Sequence, residues 1–150
     1  MFRNIYYKSL GKAAPSALRR SSRKSAKQIE EEQRAQWKQY LKEERIDGLE
    51  IRTVPLKGRG IFSTRSFHKG EFVVEYAGDL ITTEEAEVRD EKYSKNIDKY
   101  GSFMYYFVYK EKKWCIDATI ESGKYGRLLN HSCKKPNCAT KILEVRLQGS

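Results

Sequence analysis

The spacing of apolar positions changes several times along the chain, and each change marks an element. Ile29, Trp37 and Leu41 recur at helical intervals with Tyr40 beside them, which predicts a helix over 29–46 that docks through a narrow stripe. Ser25 and Gln28 have capping-box spacing at its start, and Glu30 and Arg34 form an i,i+4 pair with the acid first. Asp47-Gly48 stops it. From 49 to 81 the pattern becomes that of strands. LEIRTVP, GIFSTRSF and EFVVEYAG are short β-branched or aromatic runs, punctuated by Gly58, Gly60, Gly70 and Gly78.

Thr82 and Glu85 open a second helix that runs to about Asn96. Its acids (Glu84, Glu85, Glu87) lie early and its bases (Arg89, Lys92, Lys95) late, as the helix dipole favours. FMYYFVY (103–109) and WCIDAT (114–119) flank KEKK and read as a hairpin. By alternation Phe103, Tyr105, Phe107 and Tyr109 share one face of the first strand, and Met104, Tyr106 and Val108 the other. GRLLN (126–130) reads as one short helical turn, and ATKILEVRL (139–147) as a further strand. Many short strands and few helices place the chain in the mainly β class with short helices.

Composition divides the chain in two. It has 150 residues, 30 Lys+Arg against 20 Asp+Glu, and a formal net charge of +10. Residues 1–29 hold eight Lys/Arg and no acid, whereas 30–150 hold 22 and 20. Segment 1–28, with SALRRSSRKSAKQ after Pro15, shows no apolar periodicity and reads as a disordered basic tail. Such a tail suits a polyanion contact or a nuclear address, an Arg- and Ser-rich mitochondrial transit peptide, or a solvated extension without a partner. The expected layout is therefore a tail over 1–28, a helix over 29–46 and a β-rich domain over 47–150. No run approaches the length of an apolar membrane span. Three cysteines cannot all pair, which favours a reducing compartment.

Four constellations carry chemical potential. Lys57-Gly58-Arg59-Gly60 brackets a cation with glycines, so backbone can approach a ligand while Lys or Arg meets a carboxylate or phosphate. Read alone, it is equally a β-turn bearing solvated charge. Glu75-Tyr76-Ala77-Gly78-Asp79 closes a strand on a tyrosine that either presents its hydroxyl in a cleft or packs in the core. The aromatic run 103–109 either fills a core or walls a channel of the kind that attracts a sulfonium or ammonium group. Asn130-His131-Ser132-Cys133-Lys134-Lys135-Pro136-Asn137-Cys138 is the most unusual polar cluster. His131, Cys133 and Cys138 lack a fourth zinc ligand, and as a Cys/His nucleophile they lack an orienting partner, so no metal is expected.

These elements, in this order, resemble the SET domain of protein-lysine methyltransferases. The resemblance rests on KGRGIFSTRSFHKGEFVVEYAGDLI, YGSFMYYFVY, WCIDAT and GRLLNHSCKKPNC, and covers about 46–147. It is strongest toward the branch that adds one methyl to a lysine of the histone four tail in nucleosomes. It implies an S-adenosyl-L-methionine-dependent lysine N-methyltransferase of the nucleus, with a histone tail as substrate and residues 1–28 available for nonspecific DNA contact. It implies that Lys57, Gly58 and Arg59, together with Asn130 and His131, hold the cofactor, with Phe103 beside it where the branch usually has Tyr. It implies that Tyr76 is the active-site tyrosine that holds the target lysine. Ser102 and Tyr106 would then line the substrate channel, with Arg127 and Asn130 supporting the packing beneath it. The family pattern continues past Ser150 with strands and a tyrosine segment that closes the active site. The chain is therefore expected to be a C-terminally truncated form, with an exposed sheet edge and half a cofactor pocket. The rival expectation is a non-catalytic chromatin or nucleic-acid binding protein that uses the basic tail.

Overall fold

The run FRNIYYK at the start of the chain forms a strand, β1 (Phe2–Lys8), and it is the central strand of its sheet. The computed structural model describes residues 2–9, 24–101, 103–130, 132 and 134–145. β1 lies between β4 (Phe72–Tyr76) and β8 (Cys138–Glu144), antiparallel to both. This corrects the expectation of a disordered tail at its first residues. Ile5, Tyr6 and Tyr7 are strong strand formers, and Ile5 is 0% exposed. Burial of that side chain outweighs the polar composition that follows it in sequence. The remainder of the expected tail, 10–23, lies outside the described residues.

Helix α1 (Ala26–Lys42) begins as its sequence predicts. The Ser25 hydroxyl accepts from the Gln28 amide at 3.2 Å, while the Gln28 side chain accepts from the Ser25 amide at 2.8 Å. It starts three residues earlier and ends four residues earlier than the expected span, with Glu43 as its C-cap. Trp37 and Leu41 turn inward and pack with Ile5, Phe72 and Leu143, while Ile29 stays 54% exposed. The face of the β4-β1-β8 sheet that carries Ile5 is thus covered by α1.

The other face meets a second three-stranded sheet, ordered β5-β7-β6. Its strands are β5 (Asp79–Thr82), β6 (Met104–Tyr109) and β7 (Lys112–Asp117), all antiparallel. Between the sheets, Tyr76, Ile116 and Ala118 form a second core with Tyr6, Phe103, Tyr105 and Phe107 against it. Helix α2 (Thr83–Ser94) covers the far side of the second sheet, where Ala86 packs with Ile81, Cys115 and Met104. The Thr82 hydroxyl caps α2 by accepting from the Glu85 amide at 3.3 Å. A single turn, α3 (Ile97–Tyr100), follows and was not apparent in the hydrophobic pattern. β2 (Leu49–Val54) and β3 (Gly58–Ser63) make a separate hairpin, and a 3-10 turn at Gly126–Leu128 matches the short helical turn expected there.

Two features fix α2 and the 3-10 turn to the sheets. The side chain of Asp117 is 1% exposed and bonds on both oxygens: Arg89 Nη1 at 3.0 Å, the Tyr93 hydroxyl at 2.9 Å and the Thr119 amide at 2.9 Å. Burial alone would raise its pKa, but these donors hold the carboxyl below the ordinary carboxylate range. At Gly126 an added Cβ would stand 1.9 Å from the Glu75 carbonyl oxygen, so this glycine alone lets the turn meet β4.

Candidate functional site

Tyr76 ends β4 with its side chain directed between the two sheets. A one-residue register shift opposite Tyr6 and Tyr7 produces this aim. Tyr7 pairs with Phe72 and Tyr6 with Val74, so β4 carries an extra residue between them. Phe72 accordingly joins the core under α1, and Tyr76 the core between the sheets. The Tyr76 hydroxyl donates to the Phe103 carbonyl oxygen at 2.8 Å. The same carbonyl accepts from the Ala118 amide at 2.9 Å. Burial, followed by the neighbouring Tyr6, pushes the Tyr76 phenol well above its ordinary range, and the Arg127 charge opposes them. The phenol is therefore a neutral donor near neutral pH.

Arg127 completes this frame. Its Nη1 donates to the Ala118 and Thr119 carbonyl oxygens at 2.7 and 2.8 Å, and its guanidinium lies 3.7 Å from the Phe103 ring centroid. Phe103 is thus held twice, by its carbonyl from Tyr76 and by its ring from Arg127.

The glycine-flanked cation lies at the β2–β3 turn. Lys57 is in the turn, and Gly58 and Arg59 open β3. Gly58 has φ of +76° with no atom near its missing Cβ, which leaves the backbone open to a ligand. A Cβ on Gly60 would stand 4.0 Å from Asn130 Nδ2, so the two expected cofactor loops meet here. Asn130 is exposed, and Arg59 pairs with Glu121 at 2.7 Å while keeping much of its side chain in solvent. An exposed guanidinium, an exposed carboxamide and an unobstructed glycine backbone suit a ligand that carries a carboxylate or phosphate and further hydrogen-bonding groups.

Tyr106 stands elsewhere. It is 51% exposed, and its hydroxyl lies 3.6 Å from Met104 Sδ, on the face of β6 turned toward α2. The pleat brings Tyr105 to Tyr76 instead, with ring centroids 5.6 Å apart. Tyr106 is therefore not beside Tyr76, where a channel wall was expected. Ser102 and His131, together with Cys133, lie outside the described residues. Among the described residues no group of three His, Cys, Asp or Glu side chains could hold a metal.

Sequence reasoning missed Tyr6 and Asn4, which share the Tyr76 face. Asn4 sits directly opposite Tyr76 in the register, and the Tyr6 ring meets the Tyr76 ring edge-on at 6.1 Å. The signal was there in FRNIYYK, a seven-residue run with β-branched and aromatic residues. Asp117 was also missed, since nothing local marks it as the anchor of α2.

Known proteins match this arrangement. The SET domain family profile matches residues 58–149. N-lysine methyltransferase KMT5A-B of Xenopus laevis is 45% identical over 128 residues, which is 85% of this chain and 38% of that protein. Histone-lysine N-methyltransferase set-1 of Caenorhabditis elegans is 46% identical over 133 residues, 85% of this chain and 53% of that protein. Histone-lysine N-methyltransferase Set8 of Drosophila melanogaster is 44% identical over 86% of this chain, which spans 18% of that protein. The crystal structure of CpSET8 from Cryptosporidium superposes with a TM-score of 0.57 at 38% identity, over 67% of this chain and 50% of that one. The chain thus spans about half or less of the length of each of these relatives.

Proposed function

The chain belongs to the SET domain family, and from that premise we propose that it carries the core of a protein-lysine N-methyltransferase acting on a histone tail. SET-domain methyltransferases take the methyl group from S-adenosylmethionine. The observation that carries the reading is the Tyr76 hydroxyl fixed on the Phe103 carbonyl at 2.8 Å, beside an aromatic wall. Relatives of 44–46% identity named as lysine methyltransferases support it.

In this reading Lys57, Gly58 and Arg59 hold the cofactor from one side and Asn130 and His131 from the other, with the Phe103 ring against it. The cofactor supplies a sulfonium-activated methyl group. Bound between these loops, it would offer that methyl group to a neutral lysine nitrogen. The protein's task is then alignment and exclusion of water, and effective molarity makes alignment worth several kcal/mol. The Tyr76 oxygen orients the lysine amine through its free lone pair, because its proton is committed to Phe103. Ser102 belongs to the lysine path in this reading, whereas Tyr106, on the α2 face of β6, has no part in it.

The finer reading is transfer of one methyl to the histone four tail within nucleosomes, in the nucleus. Residues 10–23 add nonspecific attraction to nucleosomal DNA. Arg3 does not share that role, because it is bound to Glu75 by two contacts at 2.5 and 2.6 Å. The test is mass spectrometry of nucleosomal histones after incubation with the protein and S-adenosylmethionine. A single 14-Da increment, confined to one histone four tail lysine, is expected; increments on no histone contradict the reading.

A further inference from the structure

Tyr76 is held at its hydroxyl by Phe103, but a single hydrogen bond leaves the ring free to swing about that point. Two further rings remove this freedom. Tyr105, from β6, lies 5.6 Å from Tyr76 at an interplanar angle of 47°. Tyr105 is itself pinned, its hydroxyl 2.8 Å from Thr140 Oγ1 on β8. Tyr6, from β1, meets Tyr76 at 6.1 Å and 70°, the edge-to-face geometry that aromatic quadrupoles favour. The strand that presents Tyr6 is paired on both sides, to Val74 on β4 and Thr140 on β8. Among the described residues it is therefore the one strand of its sheet with backbone hydrogen bonds along both edges.

We propose that Tyr6 is a positioning residue for methyl transfer: its ring, delivered by β1, wedges Tyr76 against Tyr105 and keeps the Tyr76 hydroxyl on the Phe103 carbonyl. The proposal rests on the methyltransferase reading only for its catalytic consequence. The geometric claim stands on the rings alone. Next to the wedge lies Asn4, 0% exposed and directly across from Tyr76. Both of its amide atoms lack a hydrogen-bond partner among the described residues. A buried unpartnered amide competes for any hydroxyl within reach. Loss of the Tyr6 ring opens space in which the Tyr76 hydroxyl can leave Phe103. The ring, not the Tyr6 hydroxyl, performs the function, so phenylalanine suffices.

The role separates from simple core filling by its readouts. Catalysis depends steeply on alignment, so a small swing of Tyr76 lowers turnover without altering the cofactor loops, which lie on β3 and near Asn130. The experiment compares wild type with Tyr6→Phe, Tyr6→Leu and Tyr6→Ala by labelled methyl transfer to nucleosomes. In parallel, NMR of ring-labelled tyrosine follows the Tyr76 Cζ signal, which reports whether the hydroxyl donates. Tyr6→Phe is expected to match wild type. Tyr6→Leu and Tyr6→Ala are expected to lower kcat about tenfold or more, hold the KM for S-adenosylmethionine within about twofold, and move the Cζ signal. If Tyr6→Ala does not fold, Tyr6→Leu decides. A folded Tyr6→Leu with unchanged kcat and Cζ signal overturns the proposal, as does a joint change of kcat and KM without a Cζ shift. If wild type itself transfers no methyl, the methyltransferase reading falls, and the Cζ signal alone decides whether Tyr6 positions Tyr76.

Discussion

The Phe103 carbonyl oxygen accepts from the Tyr76 hydroxyl at 2.8 Å and from the Ala118 amide at 2.9 Å. One backbone atom thus ties the end of β4 to the residue after β7. Tyr76→Phe removes one of the two donors and leaves the ring. Methyl transfer should fall by roughly 10²-fold, the scale of losing one preorganised polar contact at a reacting centre. Calorimetric affinity for S-adenosylhomocysteine should change by less than about threefold, since Tyr76 lies outside the Gly58–Asn130 cradle. An equal loss in both measurements would place Tyr76 in the cofactor site instead.

Arg127→Lys tests the guanidinium fork. A lysine ammonium cannot lie flat on the Phe103 ring and also bond both the Ala118 and Thr119 carbonyls. Chemical denaturation should show a loss of about 2 kcal/mol, from two charge-assisted bonds weakened to one. An unchanged midpoint would mean that the stacked geometry contributes nothing.

Asp117→Asn tests the anchor of α2. It leaves Arg89 beside a neutral amide while the Thr119 amide can still donate to the asparagine oxygen. Arg89 keeps its ion pairs to Asp79 and Glu85, so the loss is that of the charge-assisted bonds to the Asp117 carboxylate, about 2 kcal/mol. Hydrogen exchange should quicken in α2 and leave α1 unchanged. Acid should act in the same sense. The folded pKa of Asp117 is lowered, so the stability it contributes is present above its unfolded pKa and is lost as pH falls through the folded one.

Alkali tests the buried phenols. Burial, then Tyr105 and Cys138, push the Tyr6 phenol from 10.0 up to about 12. Because the folded pKa is the higher, the stabilisation is complete below about pH 10 and is lost as pH rises toward 12. Tyr6→Phe should therefore flatten the decline of the thermal midpoint between those values. A decline of equal slope in both proteins would show that Tyr6 titrates normally.

Two glycines should respond oppositely. Gly126→Ala places a Cβ 1.9 Å from the Glu75 carbonyl, which forces the 3-10 turn off β4, and little folded protein is expected. Gly58→Ala meets no atom, and only its φ of +76° opposes it, at about 1 kcal/mol. Yields and melting curves of the two variants, side by side, check this contrast.

Local signals made much of the fold legible. Ser25 and Gln28 announced α1, Trp37 and Leu41 named its buried face, and alternation along 103–109 correctly separated Tyr105 and Phe107 from Met104. What stayed hidden depends on distant chain. β1 was read as tail because FRNIYYK borders a Ser- and Arg-rich stretch, and because its partners, Val74 and Thr140, lie far along the sequence. The bulge that aims Tyr76 arises from pairing with β1 and has no local mark. Gly60 and Asn130 could be linked only through family resemblance, since spacing says nothing of a contact across seventy residues. Tyr106 was placed in the channel from the same resemblance, and the pleat sends it the other way.

The most direct test of the central claim is transfer of tritiated methyl from S-adenosylmethionine to nucleosomes by wild type and Tyr76→Phe, at equal concentration and with folding verified. Label on a histone band with wild type, strongly reduced in Tyr76→Phe, is the predicted result. Equal labelling by the two proteins, or label on no histone with either, would contradict the account.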